Sequence, residues 1–145
     1  LRVHGVVFMR IYGVVYLRGH FVVYLRGHGV VYLSAQDVVY LRGDGVLYLR
    51  YYFVFYLRGP GVVYLRGHGV VYVRGQDVVS LSGHIGFYLR GPGGVYLRVH
   101  GVSYVRDYSV VYPRVHSMVY LRGYGLGYLR CRSVAHLRGH GFVPL

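Results

Sequence analysis

The stretch Gly13-Val14-Val15-Tyr16-Leu17-Arg18-Gly19-His20 decides the architecture, because the chain repeats it, with drift, at every eighth residue. Tyr recurs at that interval from Tyr16 to Tyr72 and again from Tyr88 to Tyr128. Arg stands two residues after this position in 16 of 18 copies, with Ser34 and Ser82 as the exceptions. An even period without insertions means that one small supersecondary unit is stacked or folded back many times.

A helix cannot carry this period. Eight residues at about 100° each advance roughly 800°, so successive copies would rotate by about 80° and no apolar stripe would persist. Val, Tyr and paired Gly also disfavour helix. The segment Val-Val-Tyr-Leu-Arg is instead β-branched and aromatic, and the Gly-His-Gly that follows is turn chemistry. With period-two alternation, Val14, Tyr16 and Arg18 share one side and Val15 and Leu17 the other. Arg requires water, so the sequence predicts an interior of Val and Leu columns (Val15, Val31, Val63; Leu17, Leu33, Leu65) and an outer surface of Tyr16, Arg18 and Arg42.

Two all-β topologies keep that sidedness. The favoured one is a parallel β-solenoid in which two octads form a 16-residue coil with Gly-His-Gly corners. The alternative is an antiparallel β-meander with three-residue Gly-His-Gly loops; a two-residue loop would turn alternate strands over and put Arg on both sides. The turn position favours the solenoid. Every second copy gives His4, His20, Gln36, Tyr52, His68, His84, His100, His116 and Arg132, whereas the interleaved copies give Tyr12, His28, Asp44, Pro60, Gln76, Pro92, Tyr108, Tyr124 and His140. Two kinds of turn alternating every 16 residues suit a coil with unlike corners. Pro113, Gly86, Gly94 and Gly127 stand in strand positions and predict a weaker C-terminal half. Residues 1–145 form a single repeat array, with no shift in composition to mark a second domain.

Composition narrows the function further. Lys, Glu, Asn, Thr and Trp are absent, all 17 basic residues are Arg, and the acids are Asp37, Asp44, Asp77 and Asp107, giving a net charge of +13. That charge is spread along the chain and favours polyanions such as nucleic acid, acidic polysaccharide or an anionic membrane surface. Cys131 is the sole Cys, so no disulfide framework forms within the chain. The longest apolar run, Tyr51 to Leu57, is far short of the ~20 residues of a spanning helix.

Catalytic chemistry finds no foothold. Asp77, Ser80 and His84 could be written as a triad, but they arise from ordinary substitutions within the repeat, and there are no paired acids, Walker loop or dinucleotide fingerprint. The reading is therefore not an enzyme and no cofactor. His68, His84, His100 and His116, one coil apart, are the only metal candidates, since stacked imidazoles suit Zn or Cu. Interleaved Tyr and Arg resemble the platforms that bind single-stranded nucleic acid, which makes Tyr16, Arg18, Tyr24, Arg26, Tyr64 and Arg66 the polyanion-binding candidates. Stacked Arg about 4.8 Å apart in water repel by roughly 0.9 kcal/mol per pair, so such columns call for anions or a partner surface.

The composition resembles that of His-, Tyr- and Gly-rich extracellular structural proteins, such as those of hardened beaks and eggshells, which implies an extracellular setting. The leading functional expectation is a structural protein whose repeated strands associate with copies of itself into a β-rich rod or fibril. The first alternative is a polyanion-binding module. The second is a translated minisatellite with no evolved role: Tyr, Gln, Asp, Pro and Arg, which replace His in the turn position, all lie one base change from a His codon.

Overall fold

In the computed structural model, residues 2–36, 38–75, 77–106 and 109–144 are described, and they contain strand and turn but no helix. The strands are β1 (Arg2–Ala35), β2 (Val38–Arg58), β3 (Gly61–Arg74), β4 (Asp77–Arg90), β5 (Gly93–Val99), β6 (Val102–Arg106), β7 (Ser109–Val115), β8 (Met118–Cys131) and β9 (Val134–Pro144). Up to Tyr124, paired residues lie sixteen positions apart, as in Val23 with Val39, Tyr48 with Tyr64 and Leu81 with Leu97. Every pairing between these strands is parallel. The chain is thus a β-solenoid of about 7 turns built from coils of about 16 residues. The antiparallel meander is excluded, because its neighbouring strands would run in opposite directions.

Each coil has two faces. Face I carries Tyr16, Tyr32 and Tyr48 and leads into corner I (Gly19-His20-Phe21 in the first such coil). Face II carries Tyr24, Tyr40 and Tyr56 and leads into corner II (Gly27-His28-Gly29). Where strands break at the corners, the ladder of hydrogen bonds continues: the Gly59 N–H donates to the Arg74 carbonyl and the His100 N–H to the Gly83 carbonyl. Corner backbone is therefore satisfied by the adjacent coil. Within corner II, position 43 requires Gly. At Gly43 φ is +146°, and a Cβ there would overlap the backbone carbonyl of Gly27 in the preceding coil. Only a residue without a side chain lets the coils approach this closely.

The interior follows the alternation. Leu17, Val31, Leu33, Val63 and Leu65 are buried, while Tyr16, Arg18 and Arg42 are exposed. Val15 is only half-buried because it lies in the first coil and is covered from one side. The core is also more aromatic than Val and Leu columns alone. Phe55 and Phe87 occupy the inward Val position, and Phe21 and Ile85 turn inward at corner I, all nearly inaccessible. Ser103, in the same inward column as Phe87 and Val119, is fully buried, and its hydroxyl has no hydrogen-bond partner among the described residues.

Regularity declines toward the C-terminus. The first two strands span 34 and 21 residues, whereas β5, β6 and β7 span 7, 5 and 7. Between Tyr124 and Gly127 the register against β9 slips by one residue, a bulge that leaves Leu126 projecting into solvent. Pro113 keeps its register with Leu97 but has no N–H to give the ladder.

Candidate functional site

The outward positions of the repeat become continuous columns because the sixteen-residue register returns the same residue type to the same place. On face II the rings from Phe8 through Tyr24, Tyr40 and on to His136 stack with centroids 4.6 to 4.9 Å apart and planes within 10° of parallel. On face I, Tyr16, Tyr32, Tyr48 and Tyr64 stack at 4.5 to 5.0 Å, and Tyr96, Tyr112 and Tyr128 at 5.2 and 5.6 Å. Ser80 interrupts that column between Tyr64 and Tyr96. Close parallel packing holds the Tyr32 phenol above its usual pKa, first by desolvation, then through the charges of Tyr16 and Tyr48 and a hydrogen bond with Tyr16.

Beside each ring column runs an arginine column. On face II it continues at every coil from Arg10 to Arg138, with Arg58, Arg74, Arg90 and Arg106 in direct register. On face I, Ser34 and Ser82 break it. A groove of about 850 Å³ lies between the two face II columns, floored by Leu25, Leu41, Leu57 and Leu89. Its face I counterpart, about 540 Å³, runs from Tyr16 to Ser80. Among the described residues the single ion pair is His28–Asp44, 3.0 Å apart and solvent-exposed at corner II. No described carboxylate therefore neutralises the guanidinium columns.

The polyanion candidates divide between these surfaces: Tyr16, Arg18, Tyr64 and Arg66 belong to face I, and Tyr24 and Arg26 to face II. The columns also change the chemistry expected of them. Each interior ring is covered on both sides by its neighbours, so a nucleobase finds no open ring face on an unbroken run. What the columns offer an anion is a line of guanidinium groups and phenol hydroxyls.

His68, His84, His100 and His116 form a column at corner I with centroids 5.1, 4.9 and 4.3 Å apart. Ring nitrogens of stacked imidazoles point side by side and do not converge on one point, and the described residues include no group of three His, Cys, Asp or Glu placed to hold a metal ion. His116, between His100 and Arg132, has its pKa lowered by desolvation first and then by electrostatic interaction with those two neighbours. Ser80 lies on face I and His84 at the next corner, four residues along extended chain or about 13 Å, beyond hydrogen-bond reach; the Asp77 side chain lies outside the described residues. No helix among the described residues is long and apolar enough to cross a membrane. No protein family model, curated protein or solved structure matches the chain, so the columns themselves are the basis for a functional reading.

Proposed function

We propose that the chain is a structural protein that stacks end to end into a rod or fibril. The observation that supports this most is the open cross-section at each end of the sheet, which runs from β1 to β9 without closing. At the first coil Val6, Phe8 and Val14 are 62, 75 and 60% exposed, and Val7 and Met9 of the inward columns are only half-buried. At the last coil Leu137, which continues the inward column of Leu121, is 39% exposed, whereas Leu121 is 2% exposed. A second copy in the same register would set its Met9 over Leu137 and its Val7 over Ala135. It would also extend the face II ring column, setting its Phe8 over His136, and give partners to the outermost strand edges, the usual route by which open sheets associate. Opposing this, each chain brings a charge of +13, so growth should accelerate with salt.

Electron microscopy and fibre diffraction of the full chain test the reading. Rods longer than one chain, with a meridional spacing of about 4.8 Å, are expected. Leu137→Glu places a charge that a second copy would have to bury, and should hold the chain as single particles with its β spectrum intact. Growth of Leu137→Glu at the wild-type rate, or single particles of the wild type at every concentration and salt, would overturn it. The unbroken guanidinium column of face II supports a second reading, a polyanion-binding surface. Affinity for a polyanion that falls steeply with salt would favour it, since screening weakens that contact while aiding end-to-end growth.

A further inference from the structure

Face I contains one rung from which both the Tyr and the Arg are missing, while the outward Val78 remains. Ser80 replaces Tyr and Ser82 replaces Arg on the same strand, in register with Tyr64 and Arg66 on one side and Tyr96 and Arg98 on the other. The other Arg-column gap, at Ser34, differs because Tyr32 remains in place and stacks on Tyr16 and Tyr48. Leu81, between the two serines, stays buried at 2% exposure, so the core beneath the gap is intact. The result is a notch in an otherwise regular wall. By register, Tyr64 and Tyr96 flank it and the Ser80–Ser82 strand, with two hydroxyls, is its floor. The face I groove opens into it at Ser80. Tyr96 is 50% exposed, whereas Tyr88 and Tyr104, which have rings on both sides, are 40 and 38% exposed.

We propose that this notch binds a small planar aromatic anion, its ring in the vacated tyrosine position and its carboxylate between Arg66 and Arg98. The dimensions follow from the repeat. Two rungs separate Tyr64 from Tyr96, about 9.6 Å at a rung spacing of about 4.8 Å. A ring midway lies about 4.8 Å from each, within the range of offset-stacked aromatic pairs. These inner ring faces, unlike those in the unbroken columns, have no neighbouring ring over them, so stacking is available here as it is not on interior rungs. Two residues along the strand, the missing guanidinium leaves a space between two cations, and a carboxylate there accepts charge-assisted hydrogen bonds from both. Ring and charge are spaced as Tyr is from Arg, which selects a ring bearing a short acidic arm, such as an arylacetate. The Ser80 and Ser82 hydroxyls can donate to oxygen substituents on the ring or arm.

The probe is 4-hydroxyphenylacetate, followed by calorimetry and by ligand-detected NMR on the full chain at a concentration where it is monodisperse. Binding with Kd near the millimolar range is expected for so small a ligand. Ser80→Tyr restores the repeat and fills the notch with the chain's own ring; it should keep the fold and abolish binding. Arg66→Gln and Arg98→Gln should each weaken binding about tenfold, the effect of a lost charge-assisted contact, while Arg58→Gln and Arg74→Gln on face II should leave it unchanged. Neutral 4-methylphenol and aliphatic cyclohexanecarboxylate should each bind at least tenfold more weakly. Unchanged affinity in folded Ser80→Tyr would overturn the proposal. Equal loss from the face II substitutions would also overturn it, by showing attraction to overall charge. So would a wild type that binds no probe but crosslinks through Tyr64 or Tyr96 to a second chain, which would make the notch a contact between copies.

Discussion

Substitution of Gly43 and Gly94 by Ala is the sharpest test of how closely the coils pack. Gly43 sits at corner II with φ of +146°, in a region that residues with a side chain enter at a cost of about 1–3 kcal/mol. Its Cβ would land on the carbonyl of Gly27, which is in ladder register with it. Relieving that overlap means parting the two coils locally and losing one or two ladder hydrogen bonds, each worth about 1 kcal/mol. Gly43→Ala should therefore destabilise by about 2–5 kcal/mol. Gly94 occupies an outward Val position on face I, and a Cβ there meets nothing within 4 Å. Gly94→Ala should stabilise by about 0.4–1 kcal/mol, because it restricts the unfolded chain without a clash. Urea unfolding followed by circular dichroism reads the difference. With a slope of about 1–3 kcal/mol/M, the two midpoints should lie roughly 2 M apart, Gly94→Ala above wild type and Gly43→Ala below. Equal midpoints, or a milder effect at Gly43, would mean that the coils are not in this register at corner II.

Three further outcomes follow. Ser103→Ala removes a buried hydroxyl without a partner beneath Phe87 and should stabilise by about 1 kcal/mol in the same urea assay; a loss above that amount would show that the hydroxyl is satisfied. His116 has a lowered folded-state pKa, so the unfolded chain binds more protons between that value and about 6.5; its contribution to stability is complete above pH 6.5 and lost as pH falls through the folded value. In an NMR titration, Arg132→Gln should move the His116 midpoint upward, and a downward shift would contradict the stated cause. Amide exchange should be slower over Val14 to Val73 than over Gly86 to Leu129, given the short strands and the bulge in the second region; the reverse order would place the weak region elsewhere.

Most of the fold is legible in one octad. The alternation of Val15, Tyr16, Leu17 and Arg18 assigns inside and outside, and the two unlike turn series imply a 16-residue coil. Phe55 and Phe87 stand in the inward Val position and were readable as core on that ground. Phe21 and Ile85 were not, because they replace a corner Gly, and the direction of a corner side chain depends on how the coil bends. The ring columns show a similar limit. A shared position in the repeat implies proximity, but only the parallel register shows that each Tyr covers the faces of the next and so closes them to bases. Ser80 and Ser82, read along the chain, are separate one-step substitutions; they form a notch only because the register sets Tyr64, Arg66, Tyr96 and Arg98 around them.

Disulfide formation between paired cysteines tests the register on which all of this rests. On a Cys131→Ser background, Arg58→Cys with Arg74→Cys joins positions that are direct ladder partners. Their Cα atoms lie about 4.8 Å apart, within the range a disulfide spans. Arg58→Cys with Arg66→Cys places the thiols on opposite faces and beside opposite corners, well over about 10 Å apart and pointing away from each other. Under mild oxidation at high dilution, with intramolecular bonds scored by mass spectrometry, the first pair should close rapidly and the second should remain reduced. Closure of the second pair, or failure of the first, would contradict a parallel solenoid with sixteen residues per coil.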